Sequence, residues 1–169
     1  MKNTPKLLLL VCSIFIFNLS GKGQVTDSTL NVKKAVFHVY IGIAGEEDIG
    51  IGVTDLCLNY EHNILQLPNS YSNLRFGFGT MGTRKDDIGY YLNASFVHLL
   101  GKKNHHLELN LGVNYITNIA SDGWLITHDQ DFYPDLYTGY RFENPDGIFI
   151  FRVGISLVTL FNFGLGIKF

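Results

Sequence analysis

Eight stretches of this chain alternate apolar and polar residues with a period of two, and each is about 9–12 residues long. They are residues 35–44, 55–64, 73–81, 89–100, 105–117, 135–143, 147–158 and 160–169. A strand sends successive side chains to opposite faces, so each stretch has one apolar face and one polar or small face. After the first 23 residues no helical stripe of comparable length competes with this pattern. The abundance of glycine (18), phenylalanine (13) and tyrosine (9), with only 4 prolines, favours strands and tight turns.

Parity sorts the faces. Leu107, Leu109, Leu111, Val113 and Tyr115 oppose His106, Glu108, Asn110, Gly112 and Asn114. Leu74, Phe76 and Phe78 oppose Arg75, Gly77 and Gly79, and the closing stretch sets Phe161, Phe163, Leu165, Ile167 and Phe169 against Asn162, Gly164, Gly166 and Lys168. A soluble sandwich hides its apolar faces, whereas a membrane barrel turns them outward to lipid. The polar faces here are short of long solvating side chains and rich in Gly, Asn and Ser, as a crowded lumen requires. The stretch length is that of a tilted strand crossing a bilayer. Connections also alternate, with expected inner turns at 65–72, 101–104 and 144–146 and outer loops at 45–54, 82–88, 118–134 and near 158–160. The expected fold is therefore all-β: an eight-stranded antiparallel up-and-down transmembrane β-barrel.

The N-terminus reads differently. Lys2 and Lys6 precede an apolar run from Leu7 to Phe17, and Gly21 and Gly23 follow. That order is a secretory signal peptide over 1–23, with 24–34 as a lead-in and 35–169 as the barrel. Its eleven apolar residues fall short of the roughly 20 that a spanning helix needs. Cys12 lies inside the apolar run after Val11, a poor context for lipidation. Removal of the signal leaves Cys57 alone, which excludes an internal disulfide. The net charge of −2 gives no basic field for nucleic acid.

The stretches "LCLNYEHN" (56–63), "LYTGYRFENPDGIFIFRVGISL" (136–157) and "GLGIKF" (164–169) resemble the small eight-stranded outer-membrane barrels of Bacteroidetes-type bacteria, in the broad OmpA/OmpW-like group. The resemblance covers nearly all of the chain after the signal. It implies the outer membrane of a Gram-negative cell, the lipid bilayer and the barrel-assembly machinery as partners, and no assigned activity. It also implies that Phe169 ends a C-terminal insertion signal.

The inward charges by parity are Glu61, Arg75, Glu108, Arg141, Glu143, Arg152 and Lys168. A lone charge in a dry interior costs several kcal/mol, so these are expected to pair. Glu61 and Glu108 set against Arg75, Arg141 and Arg152 would form a structural ion-pair network filling the lumen. "GFGTMG" (77–82) has the spacing of a dinucleotide loop, but the charged, strand-like run after it lacks the helix such a site needs. The histidines show no zinc spacing, with His38 and His128 standing apart. In 118–134, Trp124, Phe132 and Tyr133 read as interface anchors, and Asp122, Asp129 and Asp131 lack the EF-hand pattern. No catalytic, cofactor or metal residue is expected. The function expected is a non-enzymatic membrane scaffold displaying loops. The rivals are a soluble exported lipocalin-like barrel holding a hydrophobic ligand, with the Phe-rich face inside, and a lipid-modifying barrel enzyme using His128 among Ser121, Asp122 and Asp129.

Overall fold

The computed structural model of the chain describes residues 35–46, 50–83, 88–117, 131–157 and 159–169. Residues 1–34, where a signal peptide and lead-in are expected, and most of the segment carrying Trp124 and His128, lie outside the described residues. Eight strands follow in order: β1 (Ala35–Glu46), β2 (Gly50–Leu67), β3 (Ser70–Thr83), β4 (Ile88–Lys102), β5 (His105–Thr117), β6 (Phe132–Glu143), β7 (Phe149–Ser156) and β8 (Phe161–Lys168). Each pairs antiparallel with its sequence neighbour, and β8 returns to β1, so the sheet closes into a barrel. The expected eight-stranded up-and-down barrel is the fold observed. Closure pairs Val36 with Lys168 through to Ile43 with Phe161, so that each of the eight described strands has a paired neighbour on both sides.

Alternation decides which residues go inside. On β5 Leu107, Leu109, Val113 and Tyr115 are exposed, while His106, Glu108, Asn110 and Asn114 are buried. On β8 every odd-numbered residue from Phe161 to Phe169 is exposed. The apolar faces thus cover the outside of the barrel, and most buried side chains are polar or charged. This is the reverse of a soluble protein and of a lipocalin-like barrel, which both need the Phe-rich face inside. Small apolar groups remain in the lumen at its two ends. Tyr71, Val97 and Leu99 cluster at the end that carries the short turns. Cys57, Met81, Tyr91, Ile116 and Tyr133 cluster toward the other end, here called the loop end.

β1 to β4 and β6 run longer than the alternation alone indicates, β5 matches it, and β7 and β8 are shorter than the expected 147–158 and 160–169. The expected inner turn 65–72 shrinks to Pro68 and Asn69, because β2 continues to Leu67 and β3 begins at Ser70. A register shift between Asn63 and Leu65 absorbs Ile64. The expected loop 45–54 shrinks to 47–49, because Gly50 and Ile51 pair with Glu46 and Gly45 across a second shift. Tyr133 is another correction: β6 already begins at Phe132, so Phe132 points outward and Tyr133 inward to the lumen rather than to an interface. At the β4–β5 turn, Gly101 adopts φ 144°, and a Cβ there would lie 2.2 Å from the His105 carbonyl oxygen. Only glycine fits that position.

Candidate functional site

Strand parity delivers charged side chains from five strands, and a histidine from a sixth, to the middle of the lumen. Glu61 on β2 faces Arg75 on β3, its direct register partner. Arg141 on β6 lies opposite Arg152 on β7. Glu108 on β5 and His38 on β1 complete the layer, and all six residues are buried. The structure brings the five sequence-predicted residues Glu61, Arg75, Glu108, Arg141 and Arg152 into one contiguous cluster.

Arg75 donates to Glu61 Oε1 from Nε (2.9 Å) and Nη2 (2.6 Å), and Nη2 also reaches Glu108 Oε1 at 2.5 Å. Arg141 donates from Nη1 and Nη2 to Glu61 Oε2, both at 2.9 Å. Arg152 Nη2 lies 2.9 Å from Glu108 Oε1. Asn73 Nδ2 donates a further bond to Glu61 Oε2 at 2.8 Å. Each carboxylate therefore bridges at least two guanidinium groups. The planar Arg fork suits this sharing, and Lys would not reproduce it.

His38, which the sequence set apart from the other histidines and outside the expected ion-pair network, joins this cluster. Arg152 Nη1 lies 2.8 Å from His38 Nε2. A guanidinium can only donate, so Nε2 accepts, and the ring proton belongs on Nδ1, which faces Glu61 Oε1 at 3.5 Å. The ring is thus assigned neutral from its hydrogen-bond geometry. Sequence reading missed it because β1 meets β7 and β8 only once the barrel has closed.

Below this layer, at the turn end, Lys168 Nζ reaches Glu143 Oε1 (3.2 Å), and Tyr71 donates to Glu143 Oε2 (2.6 Å). Arg141 Nε stands 3.5 Å from the same Glu143 oxygen, tying this pair to the main cluster. Tyr71, Val97 and Leu99 then exclude water beneath the charges.

Above it, toward the loop end, the chemistry changes. Tyr91 donates to Asp55 Oδ1 at 2.6 Å, and Tyr40 and Tyr91 hydroxyls meet at 2.9 Å. With the Tyr91 proton committed to Asp55, Tyr40 is the donor of that second bond. Asp135 Oδ2 accepts from Asn93 Nδ2 (2.8 Å) and from Asn110 Nδ2. A small cavity of about 20 Å³ lies among these groups, with Arg75 and Arg152 on its wall. Arg152 also stacks over the Tyr137 ring, 4.3 Å from its centroid. Parity puts Asp55 on the face of Cys57 and Glu61, and Asp135 on the face of Arg141. That signal was available, but both residues sit at the starts of their stretches, where burial is hardest to infer.

The other motifs resolve simply. Gly77 and Gly79 lie within β3 and face the lumen, where a Cβ would meet the Asn59 amide oxygen or the Tyr91 ring. The strand continues through Thr83, so the dinucleotide spacing is a strand pattern. His105 and His106 point to opposite faces: His105 meets Tyr140 outside, and His106 packs edge-on against Tyr71 inside. Among the described residues, no three of His, Cys, Asp and Glu converge as a metal site would need.

No family model matches this chain, and no curated protein matches it. Two solved structures are similar to it. One comes from the de novo design of transmembrane β-barrels, with a TM-score of 0.56 at 11% identity over 81% of this chain and 96% of that one. The other is the backbone structure of the Yersinia pestis outer membrane protein Ail in a phospholipid bilayer nanodisc. Its TM-score is 0.47 at 14% identity, over 82% of this chain and 100% of that one. The likeness to the designed barrel is one of fold alone.

Proposed function

We propose that this chain is an integral outer-membrane β-barrel of a Gram-negative cell, and that it acts as a membrane scaffold displaying loops rather than as an enzyme or an open pore. The observation that carries this reading is the inverted polarity of the barrel. Phe76, Phe78, Leu92, Leu165 and Phe163 are about half exposed on the outside, while Glu61, Glu108 and Arg141 are fully buried within. A barrel in water would pay for that exterior, whereas lipid accepts it.

Dimensions agree. The outward apolar residues Leu107 to Tyr115 of β5 span about 26 Å of strand, or roughly 20 Å of height at the usual tilt. Aromatic side chains mark both rims of the band. Tyr115 packs on Phe132 and Phe78 on Tyr90 toward the loop end, and Phe37 packs on Tyr60 and Phe169 at the other. Such belts sit at lipid headgroups.

In this reading residues 1–23 are the export signal, 24–34 lead into the barrel, and Phe169 serves the assembly machinery as an insertion signal. The OmpA/OmpW-like, Bacteroidetes-type group remains our proposed affiliation. The arginine–glutamate layer fills the lumen and blocks solute passage. The test is a denaturing gel of chain refolded in detergent or liposomes, unboiled against boiled. A heat-dependent mobility shift that needs lipid or detergent is expected, together with negligible conductance in a planar bilayer. A monomer that folds in plain buffer would overturn the reading.

A further inference from the structure

We propose that the loop-end cavity of the lumen binds one monovalent alkali cation, held by Asp55, Asp135 and the side-chain carbonyl oxygens of Asn59 and Asn110. The lumen carries unequal charge. Among the described residues, Arg75, Arg141, Arg152 and Lys168 face five carboxylates: Asp55, Glu61, Glu108, Asp135 and Glu143. The shortfall has a place. Glu61, Glu108 and Glu143 each lie within 3.5 Å of an arginine or lysine nitrogen. The hydrogen bonds to Asp55 and Asp135 come instead from neutral donors, Tyr91 and the amides of Asn93 and Asn110. A carboxylate removed from water is held in its charged form by compensating charge, and hydroxyls and amides supply none.

A second observation points to a ligand rather than to a bare acidic pair. Asn59 and Asn110 are 1% and 6% exposed, and both line the cavity. Neither Asn59 Oδ1 nor Asn110 Oδ1 has a donor, and the Asn59 amide nitrogen likewise has no acceptor, so Asn110 Oδ1 is the unpaired acceptor beside an amide already engaged with Asp135. The cavity therefore offers carboxylate and amide oxygens together, the ligand set of a hard cation. Charge selects the valence, because one positive charge neutralises the described lumen and two would overshoot. A volume of about 20 Å³ has room for a single ion or water. Arg75 and Arg152 form the wall toward the charge layer, so a cation entering here stops above them. It is bound rather than conducted.

The experiment uses the refolded barrel in a nonionic detergent, with sodium as the probe. A heat-shift gel in choline chloride first establishes the barrel, so failure of the fold and failure of the site are read separately. Sodium-23 NMR and thermal unfolding are then compared in sodium chloride and choline chloride at equal ionic strength. The expected results are a sodium line broadened by the protein and sharpened by added potassium, and a Tm about 3–6 °C higher in sodium. Asp135→Asn should abolish both effects. Asn110→Ala, which keeps every carboxylate, should raise the sodium midpoint at least about fivefold and serves if the first variant does not fold. Equal Tm values in the two salts, or a sodium effect unchanged in both variants, would overturn the proposal. So would stabilisation that follows pH alone in choline, since a proton would then supply the missing charge.

Discussion

The two halves of the lumen satisfy their carboxylates by different means. In the middle, Glu61 and Glu108 are met by Arg75, Arg141 and Arg152, with hydrophobic side chains sealing the turn end below. Toward the loop end, Asp55 and Asp135 are met by tyrosine hydroxyls and asparagine amides around a cavity. Charged pairs occupy the region with least access to water, where an unpaired charge costs most. Neutral donors, which bring no compensating charge, stand where a water-sized space remains. The barrel is therefore graded along its axis, from a closed ionic layer to a polar vestibule.

The largest expected effect comes from breaking the ionic layer. Glu61→Gln leaves the guanidinium groups of Arg75 and Arg141 short of charge in a sealed interior, and should cost about 3–5 kcal/mol in urea unfolding of the detergent-refolded barrel. Gly164→Ala tests the same layer sterically. A Cβ there would stand 2.8 Å from Arg152 Cγ and 3.1 Å from Tyr40 Cβ, so displacement of Arg152 should cost about 1–3 kcal/mol. In the vestibule the loss should be smaller. Asp55→Asn keeps an oxygen to accept the Tyr91 proton, and in choline chloride it should change stability by about 1 kcal/mol or less. A loss as large as that of Glu61→Gln would erase the distinction between the halves. Outside both regions, Lys103 holds φ 61° in the β4–β5 turn. Lys103→Gly should stabilise the barrel by roughly 0.5–1 kcal/mol, with no effect on any lumen property.

Much of this was legible in the chain because a strand's period of two is rigid. Once Leu107, Leu109 and Leu111 are put on one face, Glu108 must lie on the other, and the same step places Glu61, Arg75, Arg141 and Arg152 inside. Strand ends were less legible. Residues 50–53 alternate glycine with Ile51 and Val53, but acidic neighbours make them read as loop, and only pairing with Gly45 and Glu46 makes them strand. The role of His38 depended on barrel closure, which brings β1 beside strands more than a hundred residues away. Asp55 and Asp135 had the right parity but lay where the stretches began. Their neutral partners Tyr91 and Asn93 come from β4, across the lumen rather than along the chain.

Closure itself sets the order of assembly. Seven of the eight ladders join strands consecutive in sequence, and β1 with β8 is the exception. The consecutive hairpins have short separations and low loop-closure entropy, so they can form early and in parallel. The β1–β8 ladder has a separation of more than a hundred residues and the highest contact order in the molecule. Until it forms, the chain is a curled open sheet with two unpaired edges and an apolar exterior, the state most open to edge-to-edge association. The seam is thus the ladder expected to form last, and it adds His38 to the layer, because His38 reaches Arg152 only across it.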